Sequence, residues 1–111
     1  MNRLLLFFIL FLSPLSASAY SVVLTWSPPV SADPVVGYAV YRAIKGSSSY
    51  VQIAANVTTA TYTDSGVSIG TTYVYYVVSL DAQGVQSIPS NLFTAVIPTI
   101  NPATSVTVKP T

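Results

Sequence analysis

The residue types that do chemistry are scarce in this chain, and their spacing narrows what remains. Its 111 residues contain no histidine, no cysteine and no glutamate. A Ser–His or Cys–His nucleophile pair is therefore excluded, as are thiol catalysis and zinc sites of the Cys/His type. Three carboxylates are left: Asp33, Asp64 and Asp81. Glycoside hydrolysis needs two carboxyl groups facing a cleft. Each of these stands instead in a turn sequence, Asp33-Pro34, Asp64-Ser65-Gly66 and Asp81-Ala82-Gln83-Gly84, where Asp bonds nearby turn backbone. Asp64 is expected at one pole of the fold and Asp33 and Asp81 near each other at the opposite one. Two carboxylates there fall short of the usual calcium ligand set. No catalytic residue, metal or cofactor is expected. Ser47–Ser49 reads as turn chemistry, and Asn56-Val57-Thr58 fits the N-glycosylation acceptor pattern, a motif frequent by chance.

What is left is recognition. Thr72–Leu80 (TYVYYVVSL) is the longest and most apolar strand-like run. On a period of two, Tyr73, Tyr75, Val77 and Ser79 share one face. If that face is inward, Val74, Tyr76, Val78 and Leu80 point outward, and Ala39 and Tyr41 join them from Gly37–Ala43. A contiguous apolar patch on a soluble chain often marks an interaction surface, and tyrosines are favoured there. Two plainer readings stand beside it. Apolar outward residues suit a central strand in a low-charge domain, or the C-terminal segment covers them.

The elements that must position these residues are strands. Val, Ile, Thr and Tyr dominate, punctuated by Gly, Pro, Asn, Asp and Ser. Strands are predicted over Val22–Trp26, Gly37–Ala43, Tyr50–Ala54, Thr59–Thr63, Thr72–Leu80 and Leu92–Ile97, with residues 30–36 a loop. The expected core comprises Leu24, Trp26, Tyr38, Val40, Tyr62, Tyr73, Tyr75 and Val77. Two sheets packed roughly 10 Å apart need side chains of that bulk between them.

Residues 1–19 read as an address. Met1-Asn2-Arg3 is a short basic region, Leu4–Leu12 an unbroken apolar run, and Ala17-Ser18-Ala19 offers small residues for cleavage after Ala19. Nine apolar residues span about 14 Å as a helix, too short for the roughly 30 Å core of a bilayer. The remainder, Tyr20–Thr111, has 92 residues, enough for one small domain. Its charges balance: Arg42, Lys45 and Lys109 against Asp33, Asp64 and Asp81. Such a surface has no field to attract nucleic acid or anionic lipid. Without disulfides, an exported domain of this size relies on its apolar core.

Five motifs stand in a familiar order: Leu24-x-Trp26-x-Pro28-Pro29; Gly37-Tyr38-x-Val40-Tyr41-Arg42; Tyr62-Thr63-Asp64; Val67-x-Ile69-Gly70-x-x-Tyr73; and Asp81-x-x-Gly84-x-x-Ser87-x-Pro89-Ser90-Asn91. Over Ser21–Pro98 the chain resembles a fibronectin type III domain, of the variety common in bacterial secreted proteins. The resemblance implies an all-β, immunoglobulin-like antiparallel sandwich of six to seven strands, with Tyr73 forming a tyrosine corner. It departs from the family at its start. Tyr20 stands only six positions before Trp26, too few for the usual first edge strand. The smaller sheet would then show unpaired backbone along one edge.

The expected organisation is a signal peptide over 1–19, a fibronectin type III-like domain over 20–98 and a tail over 99–111. Ser105, Val106, Thr107 and Val108 alternate as an edge-complementing strand would. Three readings of that tail stay open: it leads nowhere, it closes its own sandwich, or it inserts into a second copy. The expected function is a secreted or cell-surface, non-enzymatic adhesion, binding or spacer module contacting protein or polysaccharide. A self-assembling extracellular subunit is the alternative.

Overall fold

A computed structural model describes residues 20–30 and 34–100 of the chain. Six strands follow one another: β1 (Val22–Thr25), β2 (Val35–Ile44), β3 (Val51–Val57), β4 (Thr61–Asp64), β5 (Thr72–Asp81) and β6 (Phe93–Val96). They form two antiparallel sheets, β1-β4 and β3-β2-β5-β6. β2 starts two residues earlier than the sequence predicts, because Val35 pairs with Asp81 across a register irregularity before Gly37 meets Leu80. β3 runs three residues further than expected. Its register against β2 shifts twice, and Asn56 sits within it at φ 56°, a left-handed conformation that Asn tolerates better than most residues.

The two sheets close on Val22, Leu24, Trp26, Tyr38, Val40, Tyr73, Tyr75, Val77, Ala95 and Ile97, all buried. The structure thus puts every expected core residue at this interface except Tyr62, which is half-buried and packs on its margin. Alternation explains the set: each strand sends every second side chain inward. Trp26 meets Tyr38 edge-on, ring centroids 5.2 Å apart. Its indole N–H has no hydrogen-bond partner among the described residues.

The β5–β6 connection is held to β5 by backbone bonds, Ser87 N–H to the Ser79 carbonyl and Ser90 N–H to the Val77 carbonyl, each at 2.9 Å, and by side chains that add to them. Asp81 Oδ1 accepts from Gln83 N–H and Val85 N–H, each at 2.9 Å. Gly84 completes that turn at φ 80°, where a Cβ would be strained. Ser87 and Ser90 then dock on β5: Ser79 N–H donates to Ser87 Oγ and Val77 N–H to Ser90 Oγ, both at 2.9 Å. Pro89, between them, has no N–H to give.

Candidate functional site

The first candidate was carboxylate chemistry, and geometry commits the described carboxylates to structure. Asp81 serves its turn as described, and Asp33 lies outside the described residues. Asp64 does more than the turn role expected of it. Gly66 N–H donates to its Oδ1 at 3.1 Å, but its Oδ2 takes the Tyr75 hydroxyl at 2.7 Å and Arg42 Nη1 at 2.8 Å. Arg42 and Tyr75 belong to the four-stranded sheet and Asp64 to the two-stranded one, so this buried network ties the layers together. Arg42 also lies 4.9 Å from the centroid of the Tyr73 ring, a cation–π contact. Burial works against the Arg42 charge, but Asp64 outweighs it and holds the guanidinium pKa above its ordinary value. Burial, then the bond to Asp64, pushes the Tyr75 hydroxyl far above the phenol range.

Neither Arg42 nor its partnership with Asp64 was expected, though the signal was there. Arg42 continues the inward parity of Tyr38 and Val40, and a charge on a core-facing position demands a counter-charge. A groove of about 420 Å³ opens beside this network, lined by Arg42, Ser47, Ser49, Gly66, Ser68 and Tyr73 among others. The guanidinium bordering it is already paired with Asp64. Tyr73 itself makes a corner: its hydroxyl accepts from Ser68 N–H at 2.9 Å, fixing the crossing from one sheet to the other.

The second candidate was the outer face of the large sheet. Ala39 pairs with Val78 and Tyr41 with Tyr76, with Val74 and Leu80 further along β5. All six expected patch residues have the parity opposite to the core set, but they are unequally available. Ala39 and Val78 are buried, at 1% and 2% exposure, which corrects their assignment to an exposed patch. They form the cross-strand pair between Tyr41–Tyr76 and Gly37–Leu80. Tyr41, Val74, Tyr76 and Leu80 are half-buried.

The tyrosines define the accessible part. Tyr41 and Tyr76 stack, centroids 4.8 Å apart and planes 13° from parallel. Tyr50, absent from the expected patch, tilts against Tyr76 at 5.0 Å. Burial, with Tyr41 and Tyr50 alongside, raises the Tyr76 pKa. The Tyr41 hydroxyl donates to Gln52 Oε1 and accepts from Gln86 Nε2, each at 3.2 Å. Tyr50 opens the strand predicted over Tyr50–Ala54 but was not linked to this patch, since its reach to Tyr76 crosses strands. Gln86 lies in a loop, which a bridge to Leu80 and bonds at Val85 and Ser87 bring alongside β5. The proposed complementing strand, Ser105–Val108, lies outside the described residues.

Two antiparallel sheets in this strand order, an inter-sheet Trp and a tyrosine corner define an immunoglobulin-like β-sandwich. The family model described as fibronectin type III domain matches residues 12–96, and the chain belongs to that family. The match begins inside the segment read as a leader, whose residues 12–19 are not among those described. Similar curated proteins include amylopullulanases from Thermoanaerobacter thermohydrosulfuricus, 43% identical over 70 residues, and from Thermoanaerobacterium saccharolyticum, 38% identical over 66. Those alignments take in 63% and 60% of this chain but only 4% and 5% of the relatives. Among solved structures, an Fn3-like protein from Clostridium thermocellum superposes with TM-score 0.62 at 29% identity, covering 86% of this chain and 88% of that one. A human fourth FNIII domain superposes at 0.69 with 18% identity, covering 94% and 85%, a likeness of fold alone.

Proposed function

We propose that this chain is an extracellular, non-catalytic module that binds or spaces, contacting protein or polysaccharide partners rather than transforming them. One observation carries the reading. The carboxylates the fold describes are used up in a turn and in an inter-sheet tie, while side chains suited to contact gather on the outer face around Tyr41 and Tyr76. The kinship with stretches of enzymes named amylopullulanases favours a polysaccharide setting. The leader over 1–19, the domain over 20–98 and the tail over 99–111 are parts of the same proposal. Expression of the full chain in a secreting bacterial host tests it. The chain is expected outside the cytoplasm, with a mass matching cleavage after Ala19, and without release of reducing ends from pullulan or starch. Retention in the cytoplasm, or such release by the purified chain, overturns the reading.

A second reading, self-assembly by strand exchange, draws on one feature. β1 pairs with β4 on one side, and among the described residues no strand lies along its other edge. Insertion of Ser105–Val108 from a second copy would complete it. Size-exclusion chromatography with and without the last eight residues decides: a monomer in both cases, equally stable, removes this reading.

A further inference from the structure

We propose that the outer face of the large sheet is a binding site for an uncharged polysaccharide, with Tyr41, Tyr50 and Tyr76 as stacking platforms and Gln52 and Gln86 as hydrogen-bonding partners. The inference deepens the reading of this chain as a recognition module and rests on it.

Three observations converge. The first is the tyrosine cluster itself: the Tyr76 ring has that of Tyr41 at 4.8 Å and that of Tyr50 at 5.0 Å, and all three residues are half-buried, so part of each meets solvent. A pyranose ring presents flat C–H faces, and an aromatic face is the side chain that covers such a surface while leaving hydroxyls at its edge free. The second is the amide pair. Gln86 and Gln52 grip the Tyr41 hydroxyl from either side. The Gln52 amide N–H groups and the Gln86 carbonyl keep free hydrogen-bonding capacity on exposed side chains, a donor and an acceptor flanking the rings. Neighbouring sugar hydroxyls both donate and accept, and this alternation fits them.

The third observation is charge. The charged side chains of the described residues are Arg42, Lys45, Asp64 and Asp81. Arg42 and Asp64 are paired between the sheets, and Lys45 and Asp81 belong to strand-end turns. The five side chains of the site are phenols and amides, uncharged at neutral pH, and by themselves give no charge to select a nucleic acid or an acidic glycan. The site is displaced from the patch expected from sequence. Its centre is the tyrosine row, not the buried Ala39–Val78 pair.

Affinity gel electrophoresis of the full chain in gels containing pullulan, soluble starch or hydroxyethyl cellulose tests the proposal, with the acidic polygalacturonate as contrast. Retardation is expected with at least one neutral glucan and not with polygalacturonate. Tyr41→Ala and Tyr76→Ala are each expected to weaken it about tenfold, the equivalent of one lost platform. Thr63→Ala, on the other sheet, should leave it unchanged. Should the alanine variants misfold, the unaltered chain answers by another route. With tyrosine rings labelled with carbon-13, the neutral glucan is expected to shift the ring signals of Tyr41, Tyr50 and Tyr76 and to spare Tyr62. No retardation by any neutral glucan, undiminished retardation in folded Tyr41→Ala and Tyr76→Ala, or ring shifts confined to other tyrosines overturns the site. None of these results touches the broader reading, which falls only with cytoplasmic retention or glucan hydrolysis.

Discussion

Replacing Asp64 tests how the two sheets are held together. Its carboxylate is nearly enclosed, with 6% side-chain exposure against 25% for its partner Arg42. Asp64→Ala removes three contacts at once: the ion pair, the Tyr75 hydroxyl bond and the Gly66 N–H bond. The Tyr75 hydroxyl, on a residue with no exposure, is left unpaired at a cost of about 1–3 kcal/mol. A buried charge stripped of its partner typically adds up to about 3–5 kcal/mol. Here that figure shrinks, because Arg42 reaches solvent and keeps the Tyr73 ring. The sum is about 3 kcal/mol, a large share of the ~5–15 kcal/mol total of a small domain. Asp64→Asn, which preserves shape and an acceptor but not charge, should cost about 1–2 kcal/mol. Trp26, the one tryptophan of the chain, reports urea unfolding by fluorescence. With a slope of about 1 kcal/mol/M the alanine variant's midpoint should fall by roughly 3 M. A cycle with Tyr75→Phe should show coupling of about 1 kcal/mol, since the two side chains share one bond. An Asp64→Ala midpoint within about 0.5 M of the parent would refute the idea that this network ties the layers.

Two further outcomes follow from the tyrosines. Tyr73→Phe removes the acceptor of the Ser68 N–H. It should cost about 0.5–1.5 kcal/mol, and it should speed hydrogen exchange at Ser68 specifically; unchanged exchange there would discard the corner as a clamp. Tyr75 and Tyr76 have pKa values raised above the ordinary phenol value, by burial first and then by their neighbours. The fold therefore retains protons that the unfolded chain gives up above about pH 10. Stability should hold steady below that pH and decline as pH rises beyond it. Tyr75→Phe, which has no proton to retain, should decline less steeply. A urea midpoint equal at about pH 8 and pH 11 contradicts the assignment.

How far this could be read from residues depends on the distance over which each feature is decided. Alternation within one strand is local, so Tyr73, Tyr75 and Val77 declared their inward face, and Leu24, Trp26, Tyr38 and Val40 supplied the matching bulk. The turn chemistry of Asp81 was equally local, decided within four residues. Asp64 shows where locality ends. Its bond to Gly66 is written in Asp64-Ser65-Gly66, whereas its bond to Arg42 spans 22 positions and requires both sheets to be stacked in the right register.

The outer face shows a different limit. Parity assigns a side, but exposure on that side depends on what stands next to each residue. Ala39 and Val78 share a side with Tyr41 and Tyr76, yet these small residues are buried where the bulkier tyrosine pair next to them is half-buried. Tyr50 joins the face from the entry to a strand with shifted register, and Gln86 from a loop bridged to Leu80. A period-two reading has no term for the loop residue, and for Tyr50 it does not give the reach across strands to Tyr76. The proposed recognition surface is therefore a product of the loops as much as of the strands. Because Gln86 belongs to a loop anchored to β5 through the hydroxyls and backbone of Ser87 and Ser90 and not through its own side chain, the rim around Tyr41 can change its chemistry by loop substitution without disturbing the core that supports it.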